Sequence, residues 1–325
     1  MRIYKINTLF IIAALFINFL MCSKKEEAVE SKLLFIKGEV TITRASNSIG
    51  CKIGDVLQKD DIIRTGERSL AVIQIGDKAT ATLSSKTTIT VTDLQNHYSE
   101  FYLDQGEVVS NVKKLEKNEN YVIKTKTIVA SVRGTQFLVR SDEKFGKVAV
   151  NKGTVNVSFN PENIKNIVPP EIPVVEGKMT IINMPEEIKE PKIELQEISF
   201  KDKIKIETIS TIDVTPQTKT EETESKKTME QILQKATEIE EIDTLTEKEL
   251  KQKVKQKKIE KLIMQKTRTI EEIKEACERI DNVMLYSGKI IQGAIISRGD
   301  SYKILTTNGI VEVEKNKVRT VSIVK

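Results

Sequence analysis

The sequence predicts a mainly β protein with a helical segment toward its C-terminal end. Apolar and polar residues alternate with a period of two in many short runs, such as 79–83, 128–132 and 155–159. Glycine-containing turn signals separate these runs. A helical period replaces the alternation between residues 228 and 282, and hairpin signals then return. We therefore expect a β roll or irregular sandwich, then helices, then a small C-terminal β barrel.

The N-terminus has the pattern of an export signal. Two basic residues precede an apolar run over 9–21, which is too short to span a bilayer comfortably. Cys22 follows directly, with polar residues behind it. This order resembles a bacterial lipoprotein signal, which implies that Cys22 becomes the new N-terminus and carries thioether-linked and amide-linked acyl chains such as palmitate. We predict a signal peptide over 1–21 and a lipid-anchored tether over 22–32. The alternatives are an uncleaved signal-anchor, or an ordinary buried cysteine at the end of an apolar segment.

Composition narrows the classes of function. The chain has 52 Lys and Arg against 47 Asp and Glu, and this small net charge does not indicate a nucleic-acid-binding protein. The single histidine, His97, excludes zinc sites built from several imidazoles, and any histidine-dependent triad must use it. We expect Cys51 and Cys277 to be unreactive thiols in different domains, and a disulfide between them is the less favoured alternative.

A loose motif occurs four times in the β-rich part of the chain. It consists of an apolar residue, two others, a glycine, one more residue and a second apolar residue. Its glycines are Gly38, Gly106, Gly153 and Gly177. Glycine tolerates the positive φ that a tight reversal requires, so we predict a turn at each of them with the apolar residues entering the core. The uneven spacing of the copies excludes a regular solenoid.

The mature chain divides into four further segments. The β domain is predicted over 33–187, and an extended linker over 188–227, where prolines and then Thr, Glu and Lys are frequent. A helical segment follows over 228–282, with three capping boxes at its helix starts. These are Thr228 with Gln231, Thr246 with Glu249, and Thr269 with Glu272. The last segment, 283–325, resembles small SH3-like and Sm-like β barrels.

Residues 54–159 resemble the FecR domain. The motif that carries the resemblance is Arg-Gly-Thr-x-Phe, formed by Arg133, Gly134, Thr135 and Phe137. The resemblance implies an all-β module outside the cytoplasm, which in its best-known members belongs to a transmembrane anti-sigma regulator. Only about eight residues precede the apolar run, so we expect no sigma-binding segment and do not transfer the relay mechanism. The whole chain is therefore identified as a FecR domain-containing bacterial lipoprotein.

Two interpretations of Arg133 follow from its place after a predicted strand and before a flexible glycine. Its guanidinium could present five donors to an anionic ligand. Alternatively, it pairs with a carboxylate or with turn carbonyls and fixes the chain reversal. We favour the structural role for the whole motif, because motifs that define a scaffold are more often architectural.

Other candidate sites have simpler interpretations. The acidic loop that contains Asp55, Asp60, Asp61 and Glu67 could hold Ca²⁺, but it lacks an Asp-x-Asp-x-Asp-Gly pattern, so a solvated turn is favoured. His97 lies in a polar loop with no nucleophile motif near it. A run of lysines gives one predicted helix a basic face, although interleaved glutamates favour an ordinary solvated surface. These lysines are residues 248, 251, 253, 255, 257, 258 and 261.

The sequence therefore predicts a non-catalytic lipoprotein of the bacterial cell envelope. We expect no catalytic residue, no metal site and no cofactor. The expected partners are the membrane, through the lipid anchor, and an envelope protein or glycan. Two alternatives remain open: an accessory sensor in sigma-factor signalling, and, less favoured, an enzyme that acts on peptidoglycan.

Overall fold

A computed structural model describes residues 30–95, 97–160, 171–183, 193–212 and 222–324, with backbone alone at 222–229. The predicted signal peptide, Cys22 and all but the last residues of the tether lie outside the described residues. The chain divides into two compact units, Met1–Glu240 and Glu241–Lys325. Among the described helices, none combines the length and the apolar character that a membrane span needs.

The first unit is built on a connected sixteen-stranded sheet. Its strands are β1 (Ser31–Lys37), β2 (Val40–Arg44), β3 (Asn47–Gly50), β4 (Ile62–Thr65), β5 (Leu70–Ile75), β6 (Ala79–Leu83), β7 (Thr88–Gln95), β8 (Tyr98–Val112), β9 (Asn120–Lys124), β10 (Ile128–Val132), β11 (Gln136–Ser141), β12 (Phe145–Lys152), β13 (Thr154–Phe159), β14 (Ile172–Val175), β15 (Lys178–Asn183) and β16 (Leu195–Glu197). Pairing is antiparallel except between β8 and β9.

Strand β8 belongs to two layers. Residues 98–105 pair with β7 and β9 in a first layer, which also contains β2, β3, β4, β10, β13 and β14. Residues 106–112 pair with β6 and β11 in a second layer, which also contains β1, β5, β12, β15 and β16. The layers enclose one core, in which the rings of Phe101, Tyr121 and Phe137 meet with centroid distances of 5.8 and 6.2 Å. The predicted sandwich is therefore confirmed.

The four glycines of the repeated motif mark places where the chain passes from one layer to the other. All four have positive φ: 76° at Gly38, 98° at Gly106, 89° at Gly153 and 77° at Gly177. Three of them lie between strands of different layers, but Gly106 lies inside β8, where that strand changes layers. The prediction of a chain reversal at Gly106 is therefore wrong, because a bend within one long strand makes the same crossing without a turn.

Two helices cover the outer face of the second layer. Helix α1 (Phe200–Ser210) begins at Ser199, whose hydroxyl accepts from the Asp202 amide, and α2 (Glu222–Thr244) follows. Their apolar residues pack on side chains of β1, β5, β8, β11 and β12 in a second cluster. That cluster contains Phe35, Leu70, Val72, Val109, Leu138, Ala149, Ile206, Ile209, Ile212, Ile232, Ala236 and Ile239.

Buried charges also attach α1 to the sheet. Lys205 lies 2.5 Å from Oε1 of Glu107, and Arg140 pairs with the other carboxylate oxygen. Lys147 donates to both carboxylate oxygens of Asp202, at 2.8 and 2.7 Å. Except for the Arg140 guanidinium, these charges are almost fully buried, so each must be neutralised by its neighbour.

The structure corrects three predictions about the helical part of the chain. Residues 188–227 are not an extended linker throughout, because β16 and α1 form within them and pack on the sandwich. The capping box predicted at Thr228 is also wrong, since α2 has already begun at Glu222. The boundary between the units falls within α2, so the predicted segment 228–282 is not one module.

The second unit contains a small antiparallel sheet and two further helices. They are α3 (Glu247–Met264), α4 (Ile270–Cys277), β17 (Asp281–Leu285), β18 (Ile290–Arg298), β19 (Ser301–Thr306), β20 (Gly309–Glu314) and β21 (Val318–Ile323). The strand order is β20-β19-β18-β17-β21, so the last strand pairs with the first. Capping boxes at Thr246 and Thr269 begin α3 and α4, as predicted. The predicted fold class, mainly β with helices, is confirmed, and the predicted small C-terminal barrel is found as a separate sheet of five strands whose end strands, β20 and β21, do not pair with each other among the described residues.

The lysines of α3 largely pair with glutamates of the same unit. Lys251 pairs with Glu247 at 2.6 Å and Lys255 with Glu278 at 2.6 Å. Lys253 and Lys258 also lie against glutamates. This agrees with an ordinary solvated surface rather than a free basic face.

Candidate functional site

The Arg-Gly-Thr motif forms a corner at which the chain leaves β10 in the first layer and enters β11 in the second. Gly134 has φ of 129°, and a Cβ atom there would lie 2.9 Å from Cα of Lys114. A Cβ atom on Gly153 would lie 2.6 Å from the carbonyl oxygen of Gly134. Three chain segments therefore meet at backbone contact distance, which only residues without a side chain allow at these two positions.

Thr135 and Phe137 complete this corner from the inside. The backbone of Thr135 exchanges two hydrogen bonds of 3.0 Å with Val112, and its hydroxyl donates to the carbonyl of Thr154 at 2.9 Å. The Phe137 ring is fully buried and packs edge-on against Tyr121. Gly134, Thr135 and Phe137 therefore have the architectural positions that the sequence led us to expect.

Arg133 differs from the rest of its motif. Its carbonyl accepts from the Leu115 amide at 3.2 Å, but its side chain is exposed and forms no hydrogen bond or ion pair with another described residue. The expectation that the guanidinium pairs with a carboxylate or with turn carbonyls is therefore wrong for the described residues. The backbone fixes this corner, so the guanidinium is exposed and none of its five donors is used by a described residue.

Three lysines share the corner with Arg133. Lys113 and Lys114 lie on the backbone segment that Gly134 contacts, and Lys152 directly precedes Gly153. All three are exposed and, like Arg133, have no ion pair with a described residue. We call Lys113, Lys114, Arg133 and Lys152 the basic corner. Because four unneutralised cations lie on three adjoining segments, the corner can attract a ligand with several negative charges.

A polar cleft of about 450 Å³ adjoins Arg133. Hydroxyl and amide side chains line most of it, and one carboxylate, Glu171, lies on its wall. Its other lining residues are Asn120, Ser131, Val132, Thr154 and Asn156. These side chains can supply hydrogen bonds to a ligand whose negatively charged group is bound by Arg133.

A second cleft of about 360 Å³ contains His97 and shares Asn120 with the first. Its wall includes apolar atoms of Ala79, Val112 and Leu115 beside the ion pair between Lys78 and Glu119. Nδ1 of His97 lies 3.4 Å from the amide nitrogen of Asn118, and this is the one hydrogen bond of the imidazole to a described side chain.

The acidic loop is a structural turn. Asp61 is fully buried and accepts two bonds of 2.7 Å from Arg44 and one of 2.7 Å from the Gln58 amide. Glu67 pairs with Lys86, and Asp55 accepts from the Lys52 amide. Across the described residues, no group of three or more His, Cys, Asp or Glu side chains is placed to hold a metal ion.

Both described cysteines are free thiols in different units. Burial, with smaller contributions from Asp55 and Asp61, raises the pKa of Cys51 to about 11. Burial also raises the pKa of Cys277. Because the thiolate is the reactive form, neither cysteine is activated as a nucleophile.

Sequence reasoning identified Arg133 but missed its three lysine neighbours. The adjacent pair Lys113-Lys114 was the one local signal, and Lys152 next to a motif glycine was another. Nothing in the linear order placed 113–114, 133 and 152 at one corner, since their meeting depends on the crossing of β8, β10 and β12 between layers.

One family model matches part of the β domain. Residues 61–156 match the family model described as FecR protein, which covers less than a third of the chain. Two solved structures of a candidate anti-sigma factor from Parabacteroides distasonis are similar at 17% and 16% identity, each with a TM-score of 0.36. They cover 45% and 46% of this chain, which spans 62% and 63% of theirs, less than two thirds. No curated protein matches the chain. The chain therefore contains a FecR domain over residues 61–156.

Proposed function

We propose that this chain is a non-catalytic lipoprotein of the bacterial cell envelope, held at a membrane by acylated Cys22, and that its FecR domain binds a partner through the basic corner. The proposal rests on one observation: three residues of the Arg-Gly-Thr-x-Phe motif are structural, and the fourth, Arg133, is not. Gly134, Thr135 and Phe137 build the corner, whereas the exposed Arg133 side chain bonds to none of the described residues and is available to a ligand.

The cationic side chains of the basic corner favour a partner that carries carboxylates. A guanidinium binds a carboxylate through two parallel hydrogen bonds, and the lysines add charge without demanding a fixed geometry. The hydroxyl and amide groups of the adjoining cleft favour a polar partner surface over an apolar one. An acidic segment of an envelope protein or an acidic glycan meets these requirements.

The absence of a catalytic role is part of the proposal. The imidazole of His97 bonds to an amide rather than to a hydroxyl or thiol among the described side chains, and both described cysteines have raised pKa values. An enzyme acting on peptidoglycan would need a different set of groups. A His97→Ala protein that retains full sacculus hydrolysis would exclude any use of the imidazole.

The match to the FecR model favours a partner from an envelope signalling system. An accessory sensor that acts with a separate transmembrane regulator is the second candidate function. Its test is transcription of the neighbouring sigma-factor regulon in a strain that lacks the protein. Unchanged transcription under inducing conditions would contradict the signalling role and leave the binding role in place.

We predict that Arg133→Ala lowers partner capture at least about tenfold, because a charge-assisted bidentate pair contributes about 1.5–3 kcal/mol. The measurement is recovery of crosslinked envelope partners with the acylated chain at fixed salt. We also expect the capture to weaken as salt rises, since exposed charges are screened.

The matched control for this substitution is Arg64→Ala. Arg64 is an exposed strand arginine away from the corner, whose guanidinium bonds to Thr43 at 3.0 Å. Both variants should unfold at the same temperature as the original chain. Equal capture by the Arg133 variant and the original chain would contradict the proposed site.

A further inference from the structure

Three large apolar side chains lie exposed in one short segment of the first unit. Ile49 is 50% exposed, Ile53 is 50% exposed and Val56 is 49% exposed. They fall within eight consecutive residues, on β3 and the loop after it. Ile49 is opposite the buried Ile42 in the pairing of β2 with β3, so it continues the core face of the first layer outward at that layer's edge.

This segment lies against the first residues of β1. The Leu33 amide donates to the Asp55 carbonyl at 3.0 Å, and the Gly54 amide donates to the Leu33 carbonyl at 2.7 Å. The Leu57 amide donates to the Ser31 carbonyl at 2.8 Å. The exposed apolar residues are therefore next to the point where the chain enters the domain from its N-terminal side.

The distance from this point to the proposed anchor is short. Eight peptide units separate Cys22 from Glu30, and at about 3.6 Å per residue they reach at most about 29 Å. That is about the thickness of the hydrocarbon core of one bilayer. An acylated Cys22 would therefore keep this end of the domain within about 29 Å of the membrane surface, close enough for the exposed apolar residues to reach the lipids.

We propose that Ile49, Ile53 and Val56 form a membrane-contacting patch that inserts into the boundary between lipid headgroups and acyl chains. The proposal rests on the lipid anchor of the proposed function and adds a second point of attachment. Two points of attachment fix the orientation of the domain, whereas a tether alone would leave it free to rotate.

The charges around the patch nearly cancel. Lys32, Lys52 and Lys59 have no ion pair with a described residue, and Lys52 and Lys59 lie close to the patch in the sequence, as do Asp55 and Asp60. The guanidinium of Arg44 donates to the Val56 carbonyl at 2.9 Å and is neutralised by Asp61. Lysine stems can lie along an apolar surface while their ammonium groups reach the headgroups. Apolar contact rather than net charge therefore carries the attachment, and a zwitterionic bilayer is sufficient.

The absence of tryptophan from the chain allows a direct test. Ile53→Trp introduces a single tryptophan into the patch, and Val56→Trp is a second probe should the first disturb folding. The control is Leu195→Trp, at a position that is 45% exposed on β16, seven strands from β1 in the second layer. Each acylated full chain is reconstituted into phosphatidylcholine vesicles with or without bromine atoms on the acyl chains.

We expect brominated lipid to quench the tryptophan at position 53 at least about twofold, because an interfacial side chain lies within about 5–10 Å of the acyl boundary. The tryptophan at position 195 should be unaffected. Equal quenching at the two positions, or none at position 53, would overturn the patch. Flotation of the same samples with the vesicles tests the lipid anchor separately from the patch. An acylated chain that floats without quenching would contradict the patch alone. A chain without acyl groups would contradict the lipoprotein proposal and remove the basis of the patch.

Discussion

Replacing Glu107 with glutamine is expected to lower the free energy of unfolding by about 3–5 kcal/mol, the cost of removing one partner from a buried ion pair. The Glu107 side chain is 5% exposed and that of Lys205 is 3% exposed. Glutamine has nearly the same shape but no charge, so the Lys205 ammonium would remain buried without its counterion. Arg140 is 40% exposed and can turn to water.

Chemical unfolding of the full chain measures this effect. The matched control is Glu67→Gln, which breaks an ion pair with Lys86 at the surface, where both side chains are mostly exposed. We expect no measurable change for the control, because exposed pairs contribute little. Equal stability of the two variants would show that the buried charges do not hold α1 on the sheet.

We also expect the Glu107 carboxylate to make the stability of the fold depend on pH. Burial alone would raise the pKa of Glu107, but the charges of Lys205 and Arg140 and their hydrogen bonds outweigh it and lower the pKa from 4.5 to about 2. A lowered pKa in the folded state contributes stability that is present above pH 4.5 and is lost as the pH falls toward 2. The lowered pKa of Glu107 corresponds to about 3 kcal/mol of folding free energy. Between pH 4.5 and 2, the original chain should therefore lose stability more steeply than the Glu107→Gln variant.

Replacing Gly106 with alanine is expected to lower the free energy of unfolding by about 2–4 kcal/mol. The residue has φ of 98°, and a Cβ atom there would lie 2.5 Å from Cα of Thr87 and 2.8 Å from the Lys86 carbonyl oxygen. Because backbone atoms of the turn before β7 cannot move aside as a side chain would, β8 could not bend between the layers without displacing that turn.

Gly177→Ala is the matched control for this substitution. Gly177 also has positive φ, 77°, at a crossing between layers, but a Cβ atom on it would have no other atom within 4 Å among the described residues. Alanine at position 177 should lower the free energy of unfolding only by the cost of a left-handed backbone conformation, about 1 kcal/mol. Unfolding curves of the two variants should therefore differ clearly, and coincident curves would contradict the close approach at Gly106.

The β architecture was predictable because several local signals agreed. The period-two runs, the repeated glycine motif and the capping boxes at Thr246 and Thr269 each depend on backbone chemistry within a few residues. The Arg-Gly-Thr-x-Phe motif then located the FecR domain.

The features that the sequence did not predict depend on contacts between distant parts of the chain. Helix α1 was missed because Asp202 and Lys205 interrupt the apolar residues of its buried side. Ion pairs to Glu107 and Lys147 help its buried isoleucines to hold it on the sheet. The basic corner was missed because strand crossings bring its lysines together. Gly106 was assigned to a turn because a bend within a strand and a reversal have the same local sequence.

The mass of the N-terminal peptide from the membrane fraction tests the lipid anchor itself, since both the envelope partner and the membrane-contacting patch depend on where the chain is held. We predict a peptide that begins at Cys22 and carries acyl chains, with residues 1–21 absent. A peptide that begins at Met1, or an unmodified Cys22, would contradict it.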